Sequence, residues 1–449
     1  MSSKPAPIVA IVGRANVGKS SLFNRMVGFQ QAIVATEAGT TRDSIQGKVS
    51  HSGKDFWLVD TAGLKTAQDD FEFTIQEQIQ QATESADVIL VAIEAHVQIS
   101  EEDRKVATMA LKSKKPVILV VNKADLVKRP EVDTYRKLGI KTIFLTSAKH
   151  GEGIEELLNT IVADLPKRTI TTDDNRLRIA LIGRPNVGKS QLFNTLAKKQ
   201  QAVVADKAGT TRDINRSVIR YYDREVELLD TAGVRRSGKI EVGIEKFSVL
   251  RTLRAIEEAD ICFLLMDVDE LNVQMDMKLA GMIKEAGKGL VLVVTKWDKR
   301  DETKDAWTHD QILARIVTQY EFVHWAPIIF TSAINGHNVT KLLDLAFDID
   351  GRRHQKLKTS ELNRWLHEVI LRHPPAGLKN RHPRLNYMTQ VTEESAPSFK
   401  IFGASTEFLH WSYKRHMEHA FRDTFDYEGT PVKFYFLEKH GEKIIKEKG

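Results

Sequence analysis

Gly13-Arg14-Ala15-Asn16-Val17-Gly18-Lys19-Ser20 returns 170 residues later as Gly183-Arg184-Pro185-Asn186-Val187-Gly188-Lys189-Ser190. Each is a GxxxxGK[ST] pattern. Glycines let the backbone curl until several N–H groups point at one phosphate, the lysine reaches the outer phosphates, and the serine hydroxyl faces Mg²⁺. Both copies follow an apolar run (8–12 and 179–182) and precede an amphipathic stretch (21–27 and 191–196), the strand–loop–helix context the motif requires.

The repeat extends well beyond the loop. Gln31-Ala32-Ile33-Val34-Ala35 recurs as Gln201-Ala202-Val203-Val204-Ala205, and Ala38-Gly39-Thr40-Thr41-Arg42-Asp43 recurs as Ala208-Gly209-Thr210-Thr211-Arg212-Asp213. Asp60-Thr61-Ala62-Gly63 recurs as Asp230-Thr231-Ala232-Gly233, still at an offset of 170. Asn122-Lys123-Ala124-Asp125 is matched by Thr295-Lys296-Trp297-Asp298 at 173, and Ser147-Ala148 by Ser332-Ala333 at 185. A period this long is a duplicated domain, not a solenoid unit.

The motifs suit guanine-nucleotide chemistry. Asp60 and Asp230 end apolar runs, which places a carboxylate at the sheet edge near each phosphate loop to act with Ser20 or Ser190 at Mg²⁺. Gly63 and Gly233, followed by Leu64 and Val234, leave a backbone N–H for the terminal phosphate, and Thr41 and Thr211 can close on the metal from the other side. The direct catalytic set is then Lys19, Thr41 and Gly63, with Lys189, Thr211 and Gly233 in the second copy. Asp125 and Asp298 would accept from guanine N1–H and its exocyclic amine together, a pairing that adenine lacks. The Lys123 and Lys296 stems pack along the ring, and Ser147-Ala148 and Ser332-Ala333 suit backbone contact to the base. Taken singly, Asp-Thr-Ala-Gly or an Asn-Lys-x-Asp also reads as a turn or helix cap. Ordered repetition removes that reading.

This motif set resembles the translation-factor-related GTPases, and the tandem copies with a C-terminal tail resemble the bacterial Der (EngA) GTPases over nearly the whole chain. The resemblance implies GTP hydrolysis and assembly of the large ribosomal subunit with its rRNA, in the cytoplasm. In related potassium-stimulated enzymes the P-loop asparagine, here Asn16 and Asn186, helps hold K⁺; the alternative is that these side chains cap the turn. The second recognition motif departs from the family by starting with Thr295, which offers one hydroxyl in place of an amide. Leu64 and Val234 stand where Ras-like enzymes carry a water-positioning Gln, so slow hydrolysis helped by a cation or partner is expected.

The 449 residues exceed a single core, and the fold expected is α/β: two tandem P-loop GTPase domains (7–165 and 177–349) joined by a polar, mobile linker (166–176), then a small α+β KH-like domain (350–449). The second domain is longer between Asp298 and Ser332, which suggests a lengthened surface helix near 301–320. One cysteine, Cys262 in an apolar run, reads as buried and excludes an internal disulfide. Neither a signal peptide nor an apolar run of spanning length is present, and a monomer binding two guanine nucleotides is expected.

Net charge is +6, and all of the excess lies at the end: 18 Lys/Arg against 12 Asp/Glu from Gly351 to Gly449, with eight of the fourteen histidines. An RNA-facing surface would need this, although a plain solvated surface is the alternative. Periodicity in the tail predicts helix (360–372), two strands (386–392, 398–402), helix (409–425) and strand (432–437), around a basic loop with Lys379, Arg381 and Arg384. This order is similar to the KH-like domain that closes the Der family, yet no Gly-x-x-Gly loop occurs there.

Three rivals remain at this level: a P-loop metabolic kinase, an RNA-binding scaffold that binds nucleotide without hydrolysis, and a GTPase of tRNA modification or membrane traffic. Finally, Arg235, Arg236 and Lys239 follow the second Asp-x-x-Gly motif, whereas Lys65 and then Asp69-Asp70 follow the first. Different docking partners are expected for the two segments, with nucleotide state altering how the first domain sits against the tail.

Overall fold

The computed structural model describes residues 5–31, 46–61, 75–128, 131–166, 176–199, 215–222, 224–230, 249–271, 273–299, 306–378, 381–392, 394 and 396–438. The first unit contains β1 (Ile8–Val12), α1 (Lys19–Gln31), β2 (Gln46–His51), β3 (Lys54–Asp60), α2 (Ile75–Ser85), β4 (Val88–Glu94), α3 (Glu101–Lys112), β5 (Val117–Asn122), α4 (Val132–Arg136), β6 (Thr142–Leu145) and α5 (Ile154–Asp164). Its sheet runs β2-β3-β1-β4-β5-β6, with only the β2–β3 pair antiparallel. β1 and β4 are buried along their whole length, as their unbroken apolar runs require when helices cover both faces. At the edge, β2 alternates between buried and half-buried residues.

The second unit repeats the plan with β7 (Leu177–Ile182), α6 (Lys189–Lys199), β8 (Asn215–Tyr221), β9 (Arg224–Asp230), α7 (Val249–Glu258), β10 (Ile261–Asp267), α8 (Gln274–Glu285), β11 (Gly289–Thr295), α9 (Ala306–Gln319), β12 (Ile328–Phe330) and α10 (Lys341–Arg353). Strand order β8-β9-β7-β10-β11-β12 is that of the first sheet. α9 has 14 residues where α4 has five, so the extra length is helical. Cys262 is buried on β10.

The third unit holds α11 (Thr359–Arg372), β13 (Arg384–Val391), β14 (Ser398–Ala404), α12 (Trp411–Thr424) and β15 (Lys433–Glu438), the α-β-β-α-β order of the sequence reading. Its sheet is β13-β14-β15, antiparallel then parallel. Leu362, Trp365 and Leu366 of α11 and Met417 and Phe421 of α12 pack on Met388, Phe399 and Ile401 from one face.

The three units are packed together. α2 lies against α7, where Arg251 pairs with Glu84 at 3.5 Å and Arg254 with Asp87 at 3.2 Å. At their centre the buried Glu257 carboxylate accepts from Trp57 Nε1 at 2.6 Å and from the Ala6 N–H at 2.8 Å. The third unit docks on the second through Gly429, whose N–H donates to Trp325 O at 2.7 Å and whose carbonyl accepts from Leu290 N at 2.8 Å. Gly429 has φ +75°, and a Cβ there would lie 2.4 Å from Ile349, so the approach requires glycine.

Replacing Glu257 by alanine would leave the Trp57 N–H buried without an acceptor, a cost of about 1–3 kcal/mol. We expect Glu257→Ala to lower the unfolding midpoint in urea and Glu257→Gln, which keeps an acceptor, to lower it less. Equal midpoints for Glu257→Ala and the parent would contradict the assignment.

Candidate functional site

In both units the phosphate loop joins a buried strand, β1 throughout and β7 at all but Arg178, to a helix that begins at the loop lysine. Gly13 has φ +153°, with an added Cβ 2.4 Å from the Ala92 carbonyl oxygen; Gly18 has φ +88°, with an added Cβ 2.4 Å from Asn122 Nδ2. Only glycine fits either place, which is why the pattern repeats in both copies. Asn16 (φ 66°) and Asn186 (φ 63°) occupy the left-handed region that asparagine tolerates. Their exposed amides have no hydrogen-bond partner among the described residues.

The two loop lysines are buried and curl onto their own loops. Lys19 Nζ donates to Gly13 O at 2.8 Å and Arg14 O at 2.6 Å; Lys189 Nζ donates to Gly183 O at 3.1 Å and Arg184 O at 2.6 Å. Burial lowers the Lys19 pKa below the usual lysine value, although Asp60 pulls it upward. Ser20 Oγ donates to Asp60 Oδ2 at 2.6 Å, bringing together the two oxygen donors assigned to Mg²⁺. Asp60 and Asp230 are buried at the ends of β3 and β9, and Ser190 is the second residue of α6 as Ser20 is of α1. Thr61 turns inward and donates to Ile11 O at 2.8 Å, a structural bond.

Base recognition is built at the ends of β5 and β11. Asn122 Nδ2 donates to Val17 O at 3.1 Å, and its Oδ1 accepts from the Ala148 N–H at 3.1 Å. One side chain thus ties the phosphate loop to the loop of Ser147 and Ala148. Thr295 keeps the first tie with one hydroxyl proton, donated to Val187 O at 2.7 Å and shared with Met266 O at 3.0 Å. No bond from Thr295 reaches Ala333. Asp298 accepts from Ser332 Oγ at 2.5 Å. Asp125 is likewise held by Ser147, whose hydrogen bond keeps the carboxyl below its ordinary pKa, with His150 Nε2 at 3.7 Å adding to that effect. Lys123 and Lys296 both have left-handed backbones, and Lys123 Nζ donates to Asn16 O at 2.9 Å. Ala124 and Trp297 fill the intervening position: Ala124 N donates to Thr146 O at 3.0 Å, and Trp297 packs edge-on against Phe330.

Sequence reading missed the acids behind this site. Glu94, ending β4, pairs with Lys123 and with Arg14 at 3.3 Å; burial pushes its pKa up, but the two cations outweigh that and hold it low. Asp267, ending β10, meets Lys296 at 2.6 Å. Arg14 also meets the buried Asp103 at 3.3 Å, and Arg184 meets Asp276 at 3.1 Å and Glu270 at 2.9 Å. Burial raises Asp276 to about 6 despite Arg184. The signal was present: an acid closing an otherwise apolar run, repeated at the same 173-residue offset as the recognition lysines, with Asp103 and Asp276 at that offset too.

Ala62, Gly63, Leu64, Thr231, Ala232, Gly233 and Val234, together with Thr40, Thr41, Thr210 and Thr211, lie outside the described residues, as do the charged residues 65–70 and 235–239, Lys379 and linker residues 167–175.

Residues 8–123 and 178–296 match the family described as 50S ribosome-binding GTPase. Residues 356–436 match that described as the KH-domain-like C-terminal region of EngA bacterial GTPase enzymes. The chain is 42% identical to the GTPase Der of Chloroflexus aggregans, over 96% of this chain and 98% of that one. It is 41% identical to the GTPase Der of Herpetosiphon aurantiacus, over 99% of both. Among solved structures it is similar to the FeoB G-domain from Methanococcus jannaschii, at 26% identity over 36% of this chain and 98% of that one, with a TM-score of 0.27.

Asn122→Thr should loosen GDP in the first site by about 0.5–1.5 kcal/mol, the net worth of a hydrogen bond, and Thr295→Asn should tighten the second site by a similar amount. Calorimetry resolving two binding events in the parent would read both changes. Unchanged affinities would show that the tie to the Ser-Ala loop carries no binding energy.

Proposed function

This chain belongs to the GTPase Der family and is a GTPase, and from that premise we propose that it works as a nucleotide-driven switch in assembly of the large ribosomal subunit. The observation that supports this most is the doubling of a whole site: in each copy the base-recognition strand is hydrogen-bonded to the phosphate loop. A metabolic kinase has no need of the guanine-specific half. We read residues 7–165 and 177–349 as the two GTPase domains, linked by 166–176, and 350–449 as the KH-like domain.

In each domain the phosphate-loop residues, Gly13 to Ser20 and Gly183 to Ser190, would surround the phosphates. Lys19 and Lys189 exchange their loop carbonyls for phosphate oxygens. Ser20 with Asp60, and Ser190 with Asp230, fit Mg²⁺, because hydroxyl and carboxylate are hard oxygen donors and one pair already meets at 2.6 Å. When bound, the ion neutralises charge on the outer phosphates. Asp125 and Asp298 would select guanine by accepting from its N1–H and exocyclic amine, each carboxylate oriented by a serine. Thr41, Gly63, Thr211 and Gly233 complete the site from segments outside the described residues. The unpartnered Asn16 and Asn186 amides suit K⁺, as a carbonyl oxygen offered beside the phosphates.

The ribosomal partner is supported by the matched family description and by the basic third unit. No helix among the described residues is long and apolar enough to cross a membrane, and we place the work of the protein, as a monomer, in the cytoplasm. Lys433 on β15 lies within electrostatic reach of Asp55 and Lys48 on the β2–β3 hairpin, so the first unit borders the third. Nucleotide in the first unit would then change how much basic surface is exposed.

Hydrolysis should be faster in K⁺ than in Na⁺, and Asn16→Ala and Asn186→Ala should each narrow the difference; equal rates in the two salts would remove K⁺ from the scheme. Sedimentation with large ribosomal subunits should show tight binding with a GTP analogue, weak binding with GDP, and loss as salt rises, because phosphate contacts release counterions. Binding indifferent to nucleotide and salt would defeat the proposal.

A further inference from the structure

The sheet of the third unit has two faces, and α11 and α12 cover only one. The covered face carries Leu385, Met388, Phe399 and Ile401, with Phe434 and Phe436 packed beside them. Strand register gives the other face row by row. Arg384 lies opposite Ala404; Tyr387 opposite Phe402, which neighbours Leu437; Thr389 opposite Lys400, which neighbours Tyr435; and Val391 opposite Ser398, which neighbours Lys433. Tyr387 is 46% exposed and Leu437 36% exposed, Lys400, Arg384 and Ala404 are exposed, and the Tyr387 and Phe402 rings sit 6.2 Å apart.

Tyr387 is open to solvent, and Phe402 beside it is half-buried. An exposed tyrosine beside a half-buried phenylalanine and an exposed Leu437 is unusual for solvated surface, since large apolar side chains seek burial. Here it lies between two rows that carry cations, Arg384 on one side and Lys400 on the other, with Lys433 one row further. The opposing charges are Glu394, whose Oε2 accepts from the Ser398 and Tyr435 hydroxyls at 2.7 Å each, and Asp55 and Glu257, which act on the half-buried Lys433 beside Lys48. The balance on the face is positive, in the segment that carries the whole net charge of the chain.

We propose that this open sheet face is a stacking platform for single-stranded RNA, with bases on Tyr387 and Phe402 and the phosphates following Arg384 and Lys400. Aromatic rings at sheet spacing take successive unpaired bases, and flanking cations follow the backbone without reading sequence. A duplex keeps its bases stacked internally and offers nothing to the rings. This use of the sheet supplies what the missing Gly-x-x-Gly loop would otherwise provide, on a different surface from the groove which that loop serves. The inference rests on the ribosomal reading above for its biological setting and names the surface and the form of RNA involved.

The test uses the full chain with a non-hydrolysable GTP analogue and a fluorescein-labelled oligouridine, read by polarisation, with a duplex RNA as the comparison. The parent should bind the single strand in preference to the duplex. Tyr387→Ala should weaken binding roughly 5- to 100-fold, the loss of one base stack, while Tyr387→Phe stays within about twofold because the ring is retained. Lys400→Ala should lower the salt slope by about 0.7, one phosphate contact to a single strand. Lys400 is a surface side chain, so this arm stands even if Tyr387→Ala melts early. GTP hydrolysis should be unchanged in all three variants. No oligouridine binding by the parent, a preference for duplex, or Tyr387→Ala and Lys400→Ala both binding like the parent would overturn the platform. Co-sedimentation of the same proteins with large ribosomal subunits separates the two readings. A parent that sediments with subunits while the variants bind oligouridine normally refutes the platform alone. A parent that binds oligouridine but never sediments refutes the ribosomal setting alone.

Discussion

A hydrogen bond from the base-recognition strand to the carbonyl of the phosphate-loop valine holds each site together, Asn122 to Val17 in one copy and Thr295 to Val187 in the other. The phosphate loop has no regular backbone bonding of its own, and two of its glycines adopt conformations that other residues resist. Left alone, such a loop would lose its shape, since fixing each residue costs about 1–2 kcal/mol of conformational entropy. The bond anchors the loop to the sheet centre, and Gly13 completes the fit by pressing on the Ala92 carbonyl of β4. Strand order follows from the same requirement. β1 must lie beside β4, and β5 beside β4, for the Asn122 amide to reach Val17.

The two copies have diverged where this constraint relaxes. Asn122 and Thr295 both keep the bond to the phosphate loop, while only Asn122 reaches the Ser-Ala loop. The larger change is the lengthening after Asp298. It gives a helix of 14 residues, α9, and the chain then passes through a 3-10 turn, Glu321–Val323. There Glu321 meets Arg415, His324 stacks on His419, and Trp325 lies under the Arg422 guanidinium. The insertion therefore leads directly into the surface on which the third unit docks, a role that its composition alone did not suggest.

Much of the fold was legible, for identifiable reasons. Parallel strands buried on both faces must be apolar throughout, so β1, β4, β7 and β10 announce themselves, and the repeat fixes their order. The phosphate loops were legible because glycine at those φ values has no substitute. Glu257 was not. On an amphipathic helix it reads as one more solvated charge, and only its partner Trp57, 200 residues away, shows it to be buried. Glu94 and Asp267 were passed over because an acid at a strand end looks like a turn former until the recognition lysine is seen against it. In the third unit the alternation of the strands was visible, but which face the helices would leave open depends on the packing of α11 and α12.

The contact between α2 and α7 bears on how two sites could act as one machine. Each helix is the first described element after the Asp-Thr-Ala-Gly segment of its own unit, the segment expected from sequence to respond to the terminal phosphate. The helices meet across Glu84–Arg251, Asp87 just past α2 takes Arg254, and Glu257 of α7 holds Trp57 and Ala6 of the first unit. The outer pairs are partly exposed and contribute little. The bonds to Glu257 differ: a shift of α7 that breaks one strands a buried polar group, at about 1–3 kcal/mol. Coupling energies between sites are commonly about 1–3 kcal/mol, so this contact is of the right magnitude to make one nucleotide felt at the other. The link between the copies therefore joins a continuous apolar cluster to one buried carboxylate and the two N–H groups it holds, and the carboxylate is its directional part.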